Sequence, residues 1–446
     1  DIAMQNQGIR DARSLGTPKL LVLGLQHMFA MFGATVLVPA LTGLSVSATL
    51  LFAGLGTLFF HFLTKGKVPA FLGSSFAYLA GYAAIAPNGE AALLPYACVG
   101  VAASGLLYLI LAALVRGFGA NRVMRFFPPV VTGPIIICIG MTLANSAINN
   151  CTGSWDIALV AILTVVIFNI WGKGMLRIIP ILLGVLVSYV YAAVTGRVDF
   201  SGVASAAWIG LPVKMENTVF SLIGNCDANL LVTAIIAIMP IAFATMIEHI
   251  GDICAISSTV GANFIADPGL HRTLLGDGLA TSIASLFGAP ANTTYGENTG
   301  VLALTRVYDP LVIRLAAVYA IIASFCPKFA ALVSAMPTGT IGGVSLILYG
   351  MISAIGVRNL VENRVDLAKS RNVIVVSLII SLALGITFSA AGAITFHVGE
   401  FTLNFSGLAV AAIVGIVVNA ILPGKDYNFQ NDYEYGKTTE DHGQML

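Results

Sequence analysis

Glu297 stands in the stretch Thr293-Thr294-Tyr295-Gly296-Glu297-Asn298-Thr299-Gly300, wedged between apolar segments of a chain that is only 10% charged. An ionisable group at bilayer depth costs about 2.5–3.5 kcal/mol on insertion scales, and such groups line substrate or ion paths. Upstream, Glu248 and Asp252 are spaced i, i+4 and stack on one helical face. Acids so placed repel, and one of them is expected to hold a proton near neutral pH. Glu248 follows a long run of apolar or small residues, whereas Asp252 also fits a helix that simply ends in water. His249 points about 100° away from Glu248. It reads either as a packed, hydrogen-bonded residue or as a proton carrier, and His27 has the same two readings.

Membrane-embedded elements must hold these groups. The 446 residues are 57% hydrophobic, with a mean hydropathy of +0.91, far above a soluble domain's mix. Apolar stretches of about 20 residues, the length that crosses about 30 Å of hydrocarbon, recur from Lys19 to Pro423. They predict fourteen crossings, near 19–40, 45–64, 68–86, 91–115, 129–148, 156–172, 178–196, 229–250, 271–288, 290–305, 310–334, 337–356, 371–390 and 405–423. The alternating short strands of a β-barrel are missing from this pattern. With the N-terminus in the cytoplasm, all but Arg197, Lys214 and Lys328 of the 22 Lys and Arg fall in cytoplasmic loops and tails, as the positive-inside rule favours.

A net charge of +1 without basic runs argues against a nucleic-acid partner. The six cysteines have no paired C-x-x-C spacing and read as small core residues, not as disulfides or metal ligands. A Ser-His-Asp grouping, a metal-ligand cluster and a phosphate loop are all missing, so neither an enzyme nor a cofactor is expected. The chain opens at Asp1 with a polar stretch, and a signal peptide is not expected there.

The sequence also repeats itself. Gln26-His27 precedes Pro69-Ala70 at nearly the interval that separates Glu248-His249 from Pro290-Ala291, and Phe127-Pro128 leads to Gly140-Met141 as Met336-Pro337 leads to Gly350-Met351. The expected plan is an N-terminal segment 1–18, repeats 19–213 and 214–424, and a tail 425–446. Seven crossings per repeat would turn the second upside down. Corresponding Gly/Pro-interrupted segments in inverted repeats point to a midplane binding site. Here these are the third, broken at Gly73-Ser74-Ser75, and the tenth, where Pro290 and Gly296 deny a continuous helix.

Non-helical backbone at membrane depth needs partners. The stretches Gly73 to Tyr78 and Thr293 to Tyr295 are expected to pair antiparallel, each leading into a half-helix whose N–H groups face a ligand. Two carboxylates, free backbone donors and the rings of Phe76, Tyr295 and Tyr349 suit a small, planar, neutral ligand with N–H donors and C=O acceptors. An amino acid would want a counter-charge, and a sugar would want more side-chain amides.

At these residues the chain resembles the nucleobase-ascorbate transporter family (nucleobase:cation symporter type 2), and within it the bacterial uracil:proton symporter branch. The resemblance runs from about Thr17 to Pro423, and its most specific element is Glu297-Asn298-Thr299-Gly300 through Thr305-Arg306. Further matching stretches begin at Leu25-Gln26-His27, Gly73-Ser74-Ser75, Glu248-His249-Ile250, Asp267-Pro268-Gly269 and Gly342-Gly343-Val344.

The resemblance implies an all-α polytopic membrane protein of 7+7 inverted repeats, with segments 1–4 and 8–11 as a core domain and 5–7 and 12–14 as a gate. It implies that Glu248 and Glu297 hydrogen-bond a nucleobase, that Phe76 and Tyr295 contact its ring, that the backbone at Phe76 and Gly296 binds its polar edge, and that Tyr349 approaches from the gate. Proton-coupled uracil uptake by alternating access across a bacterial inner membrane follows, with both termini cytoplasmic and a homodimer through the gate.

An acid at 297 is similar to the uracil branch, since xanthine and urate branches carry Gln there. Some uracil symporters carry His where this chain has Asp252, which leaves open whether Glu248, Asp252 or His249 carries the proton. A purine permease is the alternative reading. An anion exchanger of related fold is weaker, because the acids would repel an anion, and a channel, whose pore polar broken segments can also line, is set apart by saturable, pH-driven accumulation. The acidic tail, with Tyr427, Tyr433 and Tyr435, is expected to be disordered.

Overall fold

The first apolar run forms α1 (Thr17–Thr42), which Gly43 stops by taking a left-handed conformation, φ 85°, and returning its N–H to Pro39 O. The Ser45 side chain then caps α2 (Val46–Leu63). The structure is a computed structural model that describes residues 8–177, 179–399 and 401–426. After α2 the chain extends into a three-residue strand, β1 (Leu72–Ser74), and re-enters a helix only at α3 (Leu79–Ile85). The strand is shorter than expected: the chain bends from Phe76 onward, and Phe76 lies in the turn between the two elements. Then come α4 (Leu94–Phe118), α5 (Pro129–Cys151), α6 (Trp155–Trp171) and α7 (Pro180–Val194).

The second half opens with α8 (Ala228–Ile238), capped by the Asp227 carboxylate. Pro240 has no N–H to give, and a tight turn at Met239–Ile241 separates α8 from α9 (Ala242–Val260). α9 runs on to Gly261, about ten residues beyond the boundary that hydropathy sets at 250. Asp252 therefore lies inside the helix, which corrects the reading of a helix ending in water. Next are α10 (Leu270–Leu286), β2 (Asn292–Thr294) and α11 (Gly296–Thr305).

The eleventh expected segment is two helices, α12 (Pro310–Ser324) and α13 (Pro327–Ser334), bent 87° apart at Pro327. Following them are α14 (Thr338–Glu362), α15 (Ser370–Thr387), an antiparallel hairpin of β3 (Ala393–Val398) and β4 (Phe401–Ser406), and α16 (Gly407–Ile421). The hairpin departs from the sequence reading, which left that stretch as a loop. The tail tyrosines lie outside the described residues.

Among the described residues, 7 helices are long and apolar enough to cross a membrane, or 8 if the bent pair is one span. Close packing rests on small residues, which let backbones approach. A Cβ on Gly140 of α5 would sit 2.2 Å from Tyr349 O of α14, and one on Gly356 would sit 2.6 Å from Gly133 O. These pairings run in opposite senses along the two helices, so α5 and α14 are antiparallel. Similarly, Gly105 of α4 faces Ser282 of α10, and Gly278 faces Tyr108. Cys98, Cys138 and Cys151 are buried core residues, but Cys226 is exposed, a correction to the uniform core reading.

Candidate functional site

β1 and β2 pair antiparallel in the register Leu72↔Thr294, Gly73↔Thr293 and Ser74↔Asn292. The pairing continues through Ser75 N–H to Ala291 O at 2.8 Å and Tyr295 N–H to Phe71 O at 2.9 Å. Neighbouring helices satisfy the outer edges. Thr57 of α2 accepts from Leu72 N–H at 2.9 Å, Thr281 of α10 donates to Asn292 O at 3.1 Å, and the Asn292 amide donates to Phe52 O at 3.1 Å. Backbone that could not survive in lipid is thus held by protein.

Each strand points its chain into a short helix. α11 starts at Gly296 and α3 at Leu79, and neither Tyr295 nor Tyr78 caps the N–H groups of its helix with a side chain, while the Leu79 N–H itself bonds Phe76 O at 3.2 Å. Such donors, with the positive end of the helix dipole, suit a carbonyl or other acceptor. Glu297 occupies the first turn of α11 and is half-buried. Around it the wall is open: a Cβ added at Gly251 of α9, or at Gly296 or Gly300 of α11, would meet nothing within 4 Å.

The aromatic residues divide. Phe76 packs edge-on against Tyr349 of α14, with ring centroids 6.0 Å apart, so the turn that follows β1 meets a helix distant in sequence beside the strand pair. Tyr295 is committed differently: its hydroxyl donates to Ser74 O at 2.8 Å, and its ring lies over Gly73, where a Cβ would be 2.3 Å from Cζ. Ser74 in turn donates to Thr35 O of α1 at 2.8 Å. Tyr295 braces the strand pair in this structure.

The acids come from three elements. Glu248 and Asp252 lie one turn apart on α9, both half-buried, and Thr294 of β2 donates its hydroxyl to Asp252 Oδ2 at 2.7 Å. His249 turns away from them, with Nδ1 2.9 Å from Asp277 Oδ2 of α10 and Nε2 3.0 Å from the Thr273 hydroxyl. Both His249 and Asp277 are almost fully buried. His27 is similarly engaged, its Nδ1 and carbonyl lying 3.2 and 3.0 Å from the Asn298 amide nitrogen.

Sequence reasoning passed over Asp277, Thr294 and Asn298 as site residues. The signal for Asp277 was available, since it is an isolated charge between Gly276 and Gly278 in a membrane helix. Beyond these acids lies a polar chain, Ser104–Tyr78–Thr245–Tyr108, joined by hydroxyl contacts of 2.6–3.3 Å. Together the residues can accept from N–H groups, donate from backbone and exchange a proton. They offer no Lys or Arg for an anionic ligand.

Long apolar helices interrupted by a buried strand pair, with carboxyl groups gathered at the break, define a polytopic α-helical membrane transporter. The comparisons agree. A family model described as "Permease family" matches residues 18–392. The chain is 42% identical over 437 residues to the uracil permease of Bacillus caldolyticus, covering 96% of each. It is 40% identical over 453 residues to that of Bacillus subtilis (strain 168), covering 98% of each, and 38% identical over 410 residues to that of Escherichia coli (strain K12), covering 90% of each. This chain belongs to that permease family. Its fold is shared with the transmembrane domain of a cyanobacterium bicarbonate transporter, BicA, at a TM-score of 0.60 and 15% identity, covering 93% of this chain and 99% of the other. It is also shared with the murine solute carrier 26 family member A9 anion transporter, at 0.61 and 11%, covering 90% and 67%.

Proposed function

We propose that this protein carries uracil together with a proton across the bacterial inner membrane by alternating access. One observation carries the reading: Glu248 and Asp252 of α9 and Glu297 of α11 gather at a strand pair whose half-helices present uncapped N–H groups, with open space at Gly251, Gly296 and Gly300. A uracil ring offers two N–H donors and two carbonyls. Glu297 and Glu248 would accept from the N–H groups, and the backbone at Phe76 and Gly296 would donate to a carbonyl. Phe76 would cover the ring and Tyr349 would close over it, while Tyr295 would contact its edge from its place on the strand pair.

The proton belongs with Glu248 and Asp252. A bare carboxylate moving between a wet and a closed environment pays heavily in desolvation, and a protonated one does not. The His249–Asp277 pair, packed away from the open space, would hold α9 against α10. In this reading the fourteen segments form two inverted repeats, 19–213 and 214–424. Segments 1–4 and 8–11 are a core that carries the site, and 5–7 and 12–14 are a gate that also makes a homodimer, with both termini cytoplasmic.

Labelled uracil uptake into proteoliposomes tests the reading. Accumulation above the outside concentration is expected only with an acid-outside pH gradient, with excess xanthine failing to compete. Uptake that merely equilibrates, or that xanthine abolishes, overturns the substrate or the coupling.

A further inference from the structure

Asp252 is joined to the broken segment by a side-chain bond, from Thr294 Oγ1 to Oδ2 at 2.7 Å. Thr294 is buried, 3% exposed, and its backbone is held in the strand pair: it sits opposite Leu72 in the register, and the next residue donates to Phe71 O at 2.9 Å. Immediately after it come Tyr295, Gly296 and Glu297.

We infer that Thr294 is the positioning residue that couples the protonation of Asp252 to the substrate-binding end of α11. An ionised carboxylate can only accept, and a hydroxyl donates its one hydrogen to it in a charge-assisted bond, roughly twice as strong as a neutral one. When Asp252 takes a proton that bond loses its charge, and α9 is released from the strand that leads to Gly296 and Glu297. Among the described residues, the charged groups that act on Asp252 are acids: Glu248 on its own helix, Asp277 from α10 and Glu297 from α11. The Thr294 hydroxyl is therefore the favourable partner that the structure gives the charged form. This inference rests on the proton-coupled reading above.

The test is the pH dependence of uracil affinity and of gradient-driven accumulation in Thr294→Val, Thr294→Ser and Asp252→Asn. Removal of the hydroxyl removes a donor from the carboxylate, so Asp252 keeps its proton to higher pH. In Thr294→Val the midpoint of the affinity profile moves up by about one pH unit, the size that a charge-assisted bond supports. Thr294→Ser, which keeps the hydroxyl, follows wild type. Adding Thr294→Val to Asp252→Asn changes nothing further, because the two act through one bond.

A Thr294→Val profile that overlays wild type, a Thr294→Ser that behaves like Thr294→Val, or effects that add in the double variant each overturn the assignment. A wild-type protein with pH-independent affinity and accumulation overturns the proton-coupled reading itself and the inference with it. If Thr294→Val does not fold, the Ser variant and Asp252→Asn still decide: Thr294→Ser departing from wild type, or Asp252→Asn retaining the wild-type profile, overturns the role.

Discussion

Glu297 and Glu248 carry different tasks in this account. Glu297 sits on the first turn of α11, which no N-cap side chain closes, and its proposed task is to accept from the base. Glu297→Gln replaces one acceptor by a donor and is expected to weaken uracil binding about 10–100-fold, the range of a charged hydrogen bond. Equilibrium binding measures this, and unchanged affinity sinks the role. Asp277 works differently: it is buried against His249 at 2.9 Å. Asp277→Ala leaves the buried His249 Nδ1 without the carboxylate it faces, with an expected loss of about 1–3 kcal/mol of stability, readable as a lower melting temperature in detergent. A variant that melts like wild type contradicts the structural role given to the pair. Isolated charges made Glu248 and Glu297 legible in the sequence. Thr294 was not, because a threonine in a polar stretch is unremarkable until β2 is folded against α9.

Among the elements, the strand pair depends on one glycine. Gly73 faces the Tyr295 ring, and a side chain there collides within 2.3 Å of Cζ. Overpacking of this kind costs about 1–3 kcal/mol. Gly73→Val should lower both the melting temperature and uracil affinity, while Gly300→Ala, which meets nothing within 4 Å, should melt like wild type. Equal melting of Gly73→Val and wild type would show that the pair tolerates displacement. Pro290, Gly296 and Gly73-Ser74-Ser75 made both breaks readable, since those residues deny a continuous helix. Strand length and register were not readable, because they depend on Thr57, Thr281 and Tyr295 reaching in from elsewhere. The β3–β4 hairpin escaped because Ala393 to Ser406 lies in a connection between apolar runs, where hydropathy is silent about pairing. An N-terminal strap escaped too: Ile9 bridges Val307 in parallel, and Arg10 donates to Val260 O at 2.8 Å, tying the ends of α9 and α11 together.

The whole chain separates its charges by depth. Acids without Lys or Arg collect at the strand pair, while the loops carry ordinary exposed pairs such as Lys67–Asp267 at 2.7 Å. There the Lys67 ammonium holds the Asp267 carboxyl below the usual carboxylate range, so that acid stays charged at neutral pH and is no candidate for the coupled proton. Apolar length made the polytopic class legible, since about 20 residues per crossing is a strong signal. It is weaker for α6, whose 17 residues reach only about 26 Å at 1.5 Å each, and such helices need their neighbours to identify them.

The central claim is that proton and uracil move together, with the proton held by the Glu248 and Asp252 pair. It is tested most directly by imposing an inward uracil gradient, without a pH gradient, on proteoliposomes that hold an internal pH dye. The account predicts that uracil entry acidifies the interior of vesicles carrying the wild-type protein, and that Glu248→Gln vesicles stay at constant pH. Uracil entry without acidification, or equal acidification by Glu248→Gln, would contradict it.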